Sequence, residues 1–360
     1  MKLPAINLDG LTVPVPIVQG AMGIGVSGSG LAAAVANEGG IGMLSGVNVG
    51  YKEPDFFDHT AEANRRALTQ EIRRAKRLAP GGVVGLNLLV AMNRYQELAQ
   101  VAVAEGIDLL VSGAGLPLAL PEFVKGTRTR IAPIVSSGKA AGVILKYWKH
   151  HYGTTADLIV VEGTEAGGHL GYSREVLQSP DQPKLLDTVK EVIEAVQPFR
   201  DSFGKTIPVI AGGGIYTGAD IAECILAGAD GVQMATRFVA TEECDADIAY
   251  KEAYIHAKKE DIVLINSPVG MPGRALNNAF IKRITQHGDE IQDCLSCLKG
   301  CNPRVAPYCI SKALIRAVRG EVEDGLIFVG SNAHRVREIV TVRELISELR
   351  NEAELALAAK

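Results

Sequence analysis

One of the seven histidines, His169, stands in a setting that could do proton chemistry, "VVEGTEAGGHLG" at 160–171. A β-branched run from Leu158 to Val161 stops at Glu162, and Gly167, Gly168 and Gly171 flank the imidazole. An unperturbed imidazole titrates near pH ~6.5, which suits it to taking and returning a proton near neutrality. Glycines beside it let backbone approach a ligand where side chains would stand in the way. Alone, the pattern is better read as an idle loop histidine, so the rest of the chain has to decide.

Four of the six cysteines form a second group. Cys294, Cys297, Cys301 and Cys309 lie in "DCLSCLKGCNPRVAPYC", spaced C-x2-C-x3-C-x7-C, while Cys224 and Cys244 are solitary. Thiolates at this density suit Zn²⁺ or a [4Fe–4S] cluster, both of which take soft sulfur ligands in tetrahedral array. The spacing matches no assigned cluster framework, so free buried thiols are the first reading and a metal or cluster site the second.

A third group is made of glycines. "IPVIAGGGIYTGADI" puts Ala211, Gly212, Gly213 and Gly214 between an apolar run and a helical pattern, and "GVQMATRF" puts Met234, Ala235 and Thr236 at the end of the next run. Backbone N–H groups exposed at such turns hold phosphate, because no side chain keeps the anion away. Other run ends offer a flat heteroaromatic ring its contacts. "QGAMG" supplies Gln19 and the stretch Gly20, Ala21, Met22 and Gly23. "GLNLLV" supplies the amide of Asn87, and "SSGKAA" the cation of Lys139, suited to a reduced flavin's negative charge.

These residues need a scaffold that gathers them. Eight short apolar runs, at 16–23, 39–46, 83–90, 108–115, 131–137, 157–163, 207–214 and 230–238, each precede a longer helical or polar stretch. Most are continuously apolar, as in parallel strands covered on both faces. Eight alternations predict an α/β fold, a (β/α)8 TIM barrel, whose ligands bind at the C-terminal ends of the strands. We expect the barrel over 1–240, a mostly helical lid carrying the cysteines over 241–325, and a C-terminal segment, 326–360, returning to the barrel. Thr341 and Glu344 there form a capping box at the start of an amphipathic helix.

Composition narrows the function classes. The 360 residues, 47% hydrophobic, can bury a large core, and a net charge of −4 without basic blocks argues against nucleic acid and anionic membranes as partners. Neither a signal-peptide core nor a run of ~18 apolar residues is present, so a cytoplasmic protein is expected.

Taken together, "PIVQGAMG", "GLNLLV", "EAGGHLG", "IPVIAGGGI", "MATRF" and "GMPGRALNN" resemble the nitronate monooxygenase (formerly 2-nitropropane dioxygenase) family and its close relative, the enoyl-acyl-carrier-protein reductase II family. The resemblance covers roughly residues 15–280 and extends more loosely to the C-terminus. It implies FMN across the barrel mouth, with Glu162, Gly167 and Gly168 among its surroundings, and no metal at the flavin. It also implies that His169 is the catalytic base, removing a proton from the carbon that bears a nitro group, with oxidation of alkyl nitronates by O₂. The alternative it leaves is an NAD(P)H-dependent reductase of an enoyl thioester or a quinone. Either way the partner is a small-molecule substrate. A non-catalytic redox sensor would leave His169 unexplained.

Overall fold

The computed structural model describes residues 2–360. Eight parallel strands close into a barrel: β1 (Ile17–Gln19), β2 (Ile41–Ser45), β3 (Val83–Leu89), β4 (Leu109–Gly113), β5 (Arg130–Val135), β6 (Ile159–Glu162), β7 (Val209–Gly212) and β8 (Gly231–Met234). β8 pairs back onto β1, Val232 opposite Ile17, and completes the ring. Each strand falls in one of the eight apolar runs. The runs are continuous because both faces are buried: Val18, Met43, Leu109, Val111, Val160 and Ile210 pack together as one cluster. Their neighbours Ile17, Leu44, Leu110, Val161 and Ala211 belong to another, shared with the helices. A two-stranded N-terminal hairpin, Ile6–Asn7 with Thr12–Val13, adds Ile6, Leu8 and Val13 to the first cluster.

Helices alternate with the strands: α1 (Ser29–Asn37), α2 (Thr60–Leu78), α3 (Tyr95–Ala104), a four-residue turn Leu120–Phe123, α4 (Gly138–Tyr152), α5 (Leu185–Phe203) and α6 (Gly218–Leu226). α2 shows why such segments are helical and where they lie: Ala63, Leu68, Ile72 and Ala75 form its buried stripe, and Arg and Glu cover the rest. No helix among the described residues is long and apolar enough to cross a membrane.

After β8 the chain leaves the alternation for about a hundred residues before the final helix. This inserted segment contains α7 (Ile248–His256), α8 (Ala279–His287) and α9 (Ile310–Val318). Between α7 and α8, inside a stretch expected to be mostly helical, lies an antiparallel hairpin, Ile262–Asn266 with Pro272–Leu276. Its cause is local: "IVLIN" is a β-branched run, and Gly270, at φ +85°, turns the chain. Tyr250, Tyr254, Phe280, Tyr308 and Ile315 form the insert's core, together with Ile24, Val26, Tyr51 and Phe56 from the loops after β1 and β2. The last helix, α10 (Val342–Ala358), starts at the Thr341–Glu344 capping box and packs against α6 and α1, the eighth helical position of the barrel.

Insert and barrel meet at a cap supplied from 215 residues away. The half-buried Asp245 carboxylate accepts from the backbone N–H groups of Gly28 (2.9 Å), Gly30 (3.1 Å) and Leu31 (3.0 Å) at the start of α1. Gly28 itself provides no side-chain cap. We expect Asp245→Ala to lower stability by about 2 kcal/mol in chemical denaturation. A loss below about 0.5 kcal/mol would show that the carboxylate's desolvation cancels its three bonds.

Candidate active site

A cavity of about 480 Å³ opens at the C-terminal ends of the strands, roofed by the inserted segment. Its wall contains Gly20, Ala21, Met22 and Gly23 after β1, Asn87 on β3, and Glu162 at the end of β6. Gly167, Gly168 and His169 follow, then Gly212, Gly213 and Gly214 after β7, and Met234, Ala235 and Thr236 after β8. Residues spread over more than 200 positions in sequence thus face one space.

Three expectations are corrected. Lys139 is exposed and lines no part of the cavity. Ser137 caps α4 by accepting from Ala140 N–H, Gly138 is turned against Glu191, and residue 139 is left facing solvent. Ala211 lies one residue too early on β7, so strand alternation sends its side chain into the barrel–helix layer. Gln19 is used inside the scaffold: its amide donates to Gly20 O (2.7 Å) and Ser27 Oγ (2.9 Å) and accepts from Met43 N–H (2.9 Å).

His169 is held as part of a sheet. Gly168–His169 forms a short strand paired with the hairpin strand Pro272–Leu276, His169 opposite Gly273 and Gly168 opposite Arg274. Leu170 N–H continues the ladder onto Pro272 O at 2.9 Å. Arg274 is buried and donates to the carbonyls of Ala166 and Thr164, pinning the loop that leads to the histidine. The His169 Nε2 lies 2.7 Å from Ser267 Oγ, and its ring meets Phe328 edge to face at 4.9 Å. Burial pushes the imidazole down to about 4, so it is neutral at physiological pH. Glu162 is displaced the other way: burial raises its carboxyl to about 7, opposed by the Gly171 N–H and the Arg274 charge.

Another part of the cavity wall fits a phosphate. Gly213 and Gly214 have φ of +99° and +83°, and a Cβ on Gly214 would fall 2.3 Å from Glu165 Oε2. The backbone N–H groups of Gly213, Gly214 and Thr236 donate to no other described residue. Beside them, Ser331 Oγ is shielded from solvent and has no partner among the described residues. Unpaired donors around an open space are what an anionic group requires. The phosphate-bearing flavin implied by the sequence therefore suits the residues present.

Cys297, Cys301 and Cys309 lie within range of one another's charge, and Cys294 within range of Cys301. Cys294 is exposed, and Cys297, Cys301 and Cys309 are half-buried. Among the described residues, no group of three or more His, Cys, Asp or Glu side chains is placed to hold a metal ion, so the Zn or [4Fe–4S] expectation gains no support. The segment instead docks on the loop after β3: Asn93 N–H donates to Cys297 O (3.1 Å) and Lys299 N–H to Ala91 O (2.9 Å). This brings Cys297 and Leu298 to the cavity wall. Cys309 is diverted to the N-cap of α9.

Ser267, Phe328, Ser331 and Asn332 escaped the sequence reading. "GLIFVGSN" at 325–332 carries the same signature as the strand ends, an apolar run closing in Gly and Ser, and the last three residues of that group lie in it. For the histidine, we expect ¹⁵N NMR of histidine-labelled protein to find His169 neutral at pH 5.5. A midpoint near 6.5 would mean that water reaches the ring freely.

The model of the nitronate monooxygenase family matches residues 6–352. A probable nitronate monooxygenase from Staphylococcus saprophyticus is 28% identical over 313 residues, covering 81% of this chain and 84% of the relative. A probable nitronate monooxygenase from Staphylococcus aureus is 26% identical over 315 residues, with 79% and 81% covered. Among solved structures, FabK from Thermotoga maritima superposes with a TM-score of 0.75 at 27% identity, covering 96% of this chain and 95% of that one. The nitroalkane oxidase from Streptomyces ansochromogenes shares the fold, with a TM-score of 0.73 at 24% identity, 96% of this chain and 98% of that one being covered. With a match that runs nearly from end to end, the chain belongs to the nitronate monooxygenase family and is an oxidoreductase of that kind.

Proposed function

We propose that the protein is an FMN-dependent oxidoreductase that oxidises alkyl nitronates with O₂, and that His169 is its base. The observation that carries this reading is an imidazole fixed at the wall of a cavity that also carries unpaired backbone donors and one unpaired hydroxyl. FMN, when bound, supplies the electron-accepting ring. The chain would hold it with the backbone of Gly20–Gly23, the Asn87 amide, and the Gly213–Gly214 and Ala235–Thr236 turns. Met92, Leu116, Val269, Met271 and Leu298 give the remaining wall an apolar surface that suits an alkyl chain and excludes water.

Ser267 engages Nε2 of the base, and in this reading the proton there sits on Nε2. Its hydroxyl also accepts from Val269 N–H at 3.3 Å, which holds it in place against the ring. With Nε2–H donated to Ser267 Oγ, the Nδ1 lone pair is the one left to take the proton from the carbon bearing the nitro group. A neutral base in a dry pocket is ready without first losing a proton to solvent. Phe328 restricts the ring to one orientation.

An anaerobic visible spectrum tests the reading, with the purified protein titrated by ethyl nitronate and, separately, by NADH and NADPH. We expect ethyl nitronate to bleach the flavin band and neither nucleotide to do so. Bleaching by a nucleotide favours the second reading, an NAD(P)H-dependent reductase of an enoyl thioester, which the likeness to FabK supports. We expect His169→Gln to lower kcat/KM on a neutral nitroalkane about 10²–10⁴-fold, the usual range for a lost general base. A preformed nitronate, which has already lost that proton, should be affected less. Ser267→Ala should cost about tenfold on the nitroalkane with flavin content unchanged. Equal losses on both substrates would remove the base role from His169.

A further inference from the structure

Three buried side-chain oxygens lack a partner among the described residues, those of Ser29, Thr155 and Ser331. Only Ser331 lines the cavity. It belongs to neither of the two βα turns that sequence reasoning assigns to phosphate, but to a strap that returns from the insert 95 residues after Thr236.

The strap is tied into both halves of the site. At one end, Phe328 lies against His169, its carbonyl accepts from Tyr254 Oη at 2.6 Å, and it bridges Ala275 of the hairpin. At the other, Asn332 Nδ2 donates to Gly214 O at 2.7 Å, and Ser331 N–H donates to Glu165 O at 3.2 Å. Between them Gly330 passes so close to the β8 turn that a Cβ there would stand 2.6 Å from Thr236 Oγ1. Ser331 is thus held beside the unpaired N–H groups of Gly213, Gly214 and Thr236, with its own hydroxyl aimed at nothing in the protein. A shielded hydroxyl without a partner costs free energy unless a ligand completes it. Glu165 is exposed at the rim, with its Oε2 beside Gly214 and within range of the Arg274 charge, so a bound phosphate requires that carboxylate to swing aside towards Arg274.

Resting on the FMN reading above, we propose that Ser331 is a direct ligand of the cofactor's phosphate. Through it the 328–332 strap couples cofactor loading to the seating of Phe328 against His169. The barrel then supplies two walls of the phosphate cradle and the C-terminal return supplies the third.

The test compares FMN with riboflavin, which has the same ring and no phosphate, by flavin-fluorescence titration of full-length protein stripped of flavin. Wild type should prefer FMN. Ser331→Ala should weaken FMN about tenfold or more and leave riboflavin unchanged, as expected for one charge-assisted hydrogen bond. Ser331→Asp, which sets a carboxylate against the phosphate, should weaken FMN further, again without touching riboflavin. Hydrogen exchange over 326–332 should slow on FMN binding in wild type and far less in Ser331→Ala. Equal effects of Ser331→Ala on both flavins, or an effect on neither, would overturn the assignment. If FMN slowed exchange equally in both proteins, the coupling would fall. Failure of wild type to bind either flavin would instead overturn the cofactor reading, and the role of Ser331 with it.

Discussion

The candidate site depends on one strand, Pro272–Leu276, and on what its free edge holds. One edge pairs with Ile262–Asn266; the other takes Gly168–His169 at one end and Phe328 at the other. Both the catalytic candidate and the ring that confines it are thereby located by backbone ladders, which are less forgiving than side-chain packing. Gly273 makes room for this, since a Cβ there would stand 2.9 Å from the Phe328 ring. Arg274, next in sequence, spends its guanidinium on the carbonyls that lead into the histidine. Burying that cation would be costly without those acceptors and the nearby Glu162 and Glu165 charges, so its place makes sense only if the loop must be fixed.

The same enclosure sets the charge states. His169 has no anionic neighbour to stabilise an imidazolium, and desolvation alone drives it down to about 4. Glu162, whose carboxylate accepts from Gly171 two residues beyond the histidine, is driven up to about 7 because Arg274 and one N–H do not offset its desolvation. Two titratable groups pushed apart in opposite senses are the usual mark of divided acid and base duties. The sign of each matters for stability as well. The folded state resists protonating His169, so stability falls as pH drops from about 6.5, where the unfolded histidine takes its proton, towards 4. For Glu162 the order is reversed. Its raised carboxyl disfavours the folded state once pH exceeds the ordinary carboxylate range, and the penalty grows until pH passes 7.

What was legible in the sequence follows from what repeats. The eight apolar runs announced the barrel because parallel strands bury both faces and leave no ambiguity of period. The glycine-rich ends announced the turns that line the cavity because glycine there answers a local need. Lys139 and Ala211 failed for a matching reason: their exposure depends on one residue of register, set by the Ser137 cap and by strand alternation. Ser267 and Ser331 were hidden because a serine in a loop carries no periodicity. Each gains meaning only from the partner that the fold brings to it, His169 in one case and the β7 and β8 turns in the other. The cysteine spacing left free thiols as the first reading, and among the described residues the segment docks on the β3 loop with no group placed to hold a metal ion.

The placement of the insert gives this fold a division of labour. It leaves the barrel after β8 and rejoins it at α10, which packs on α6 and α1, so the barrel is closed by a helix that lies beyond the insert in sequence. In the proposed function the barrel turns must keep their geometry to hold a phosphate, and they are braced by strands on both sides. The hairpin, α7 and the cysteine segment instead form the wall opposite those turns, with Tyr250, Tyr254, Met271 and Leu298 facing the cavity. Changes in that wall would alter which substrate reaches His169 without disturbing the phosphate cradle. Arg274 is the exception within the insert: it positions the histidine rather than the substrate, so the same hairpin carries a fixed duty on its buried strand and a variable one at its turn.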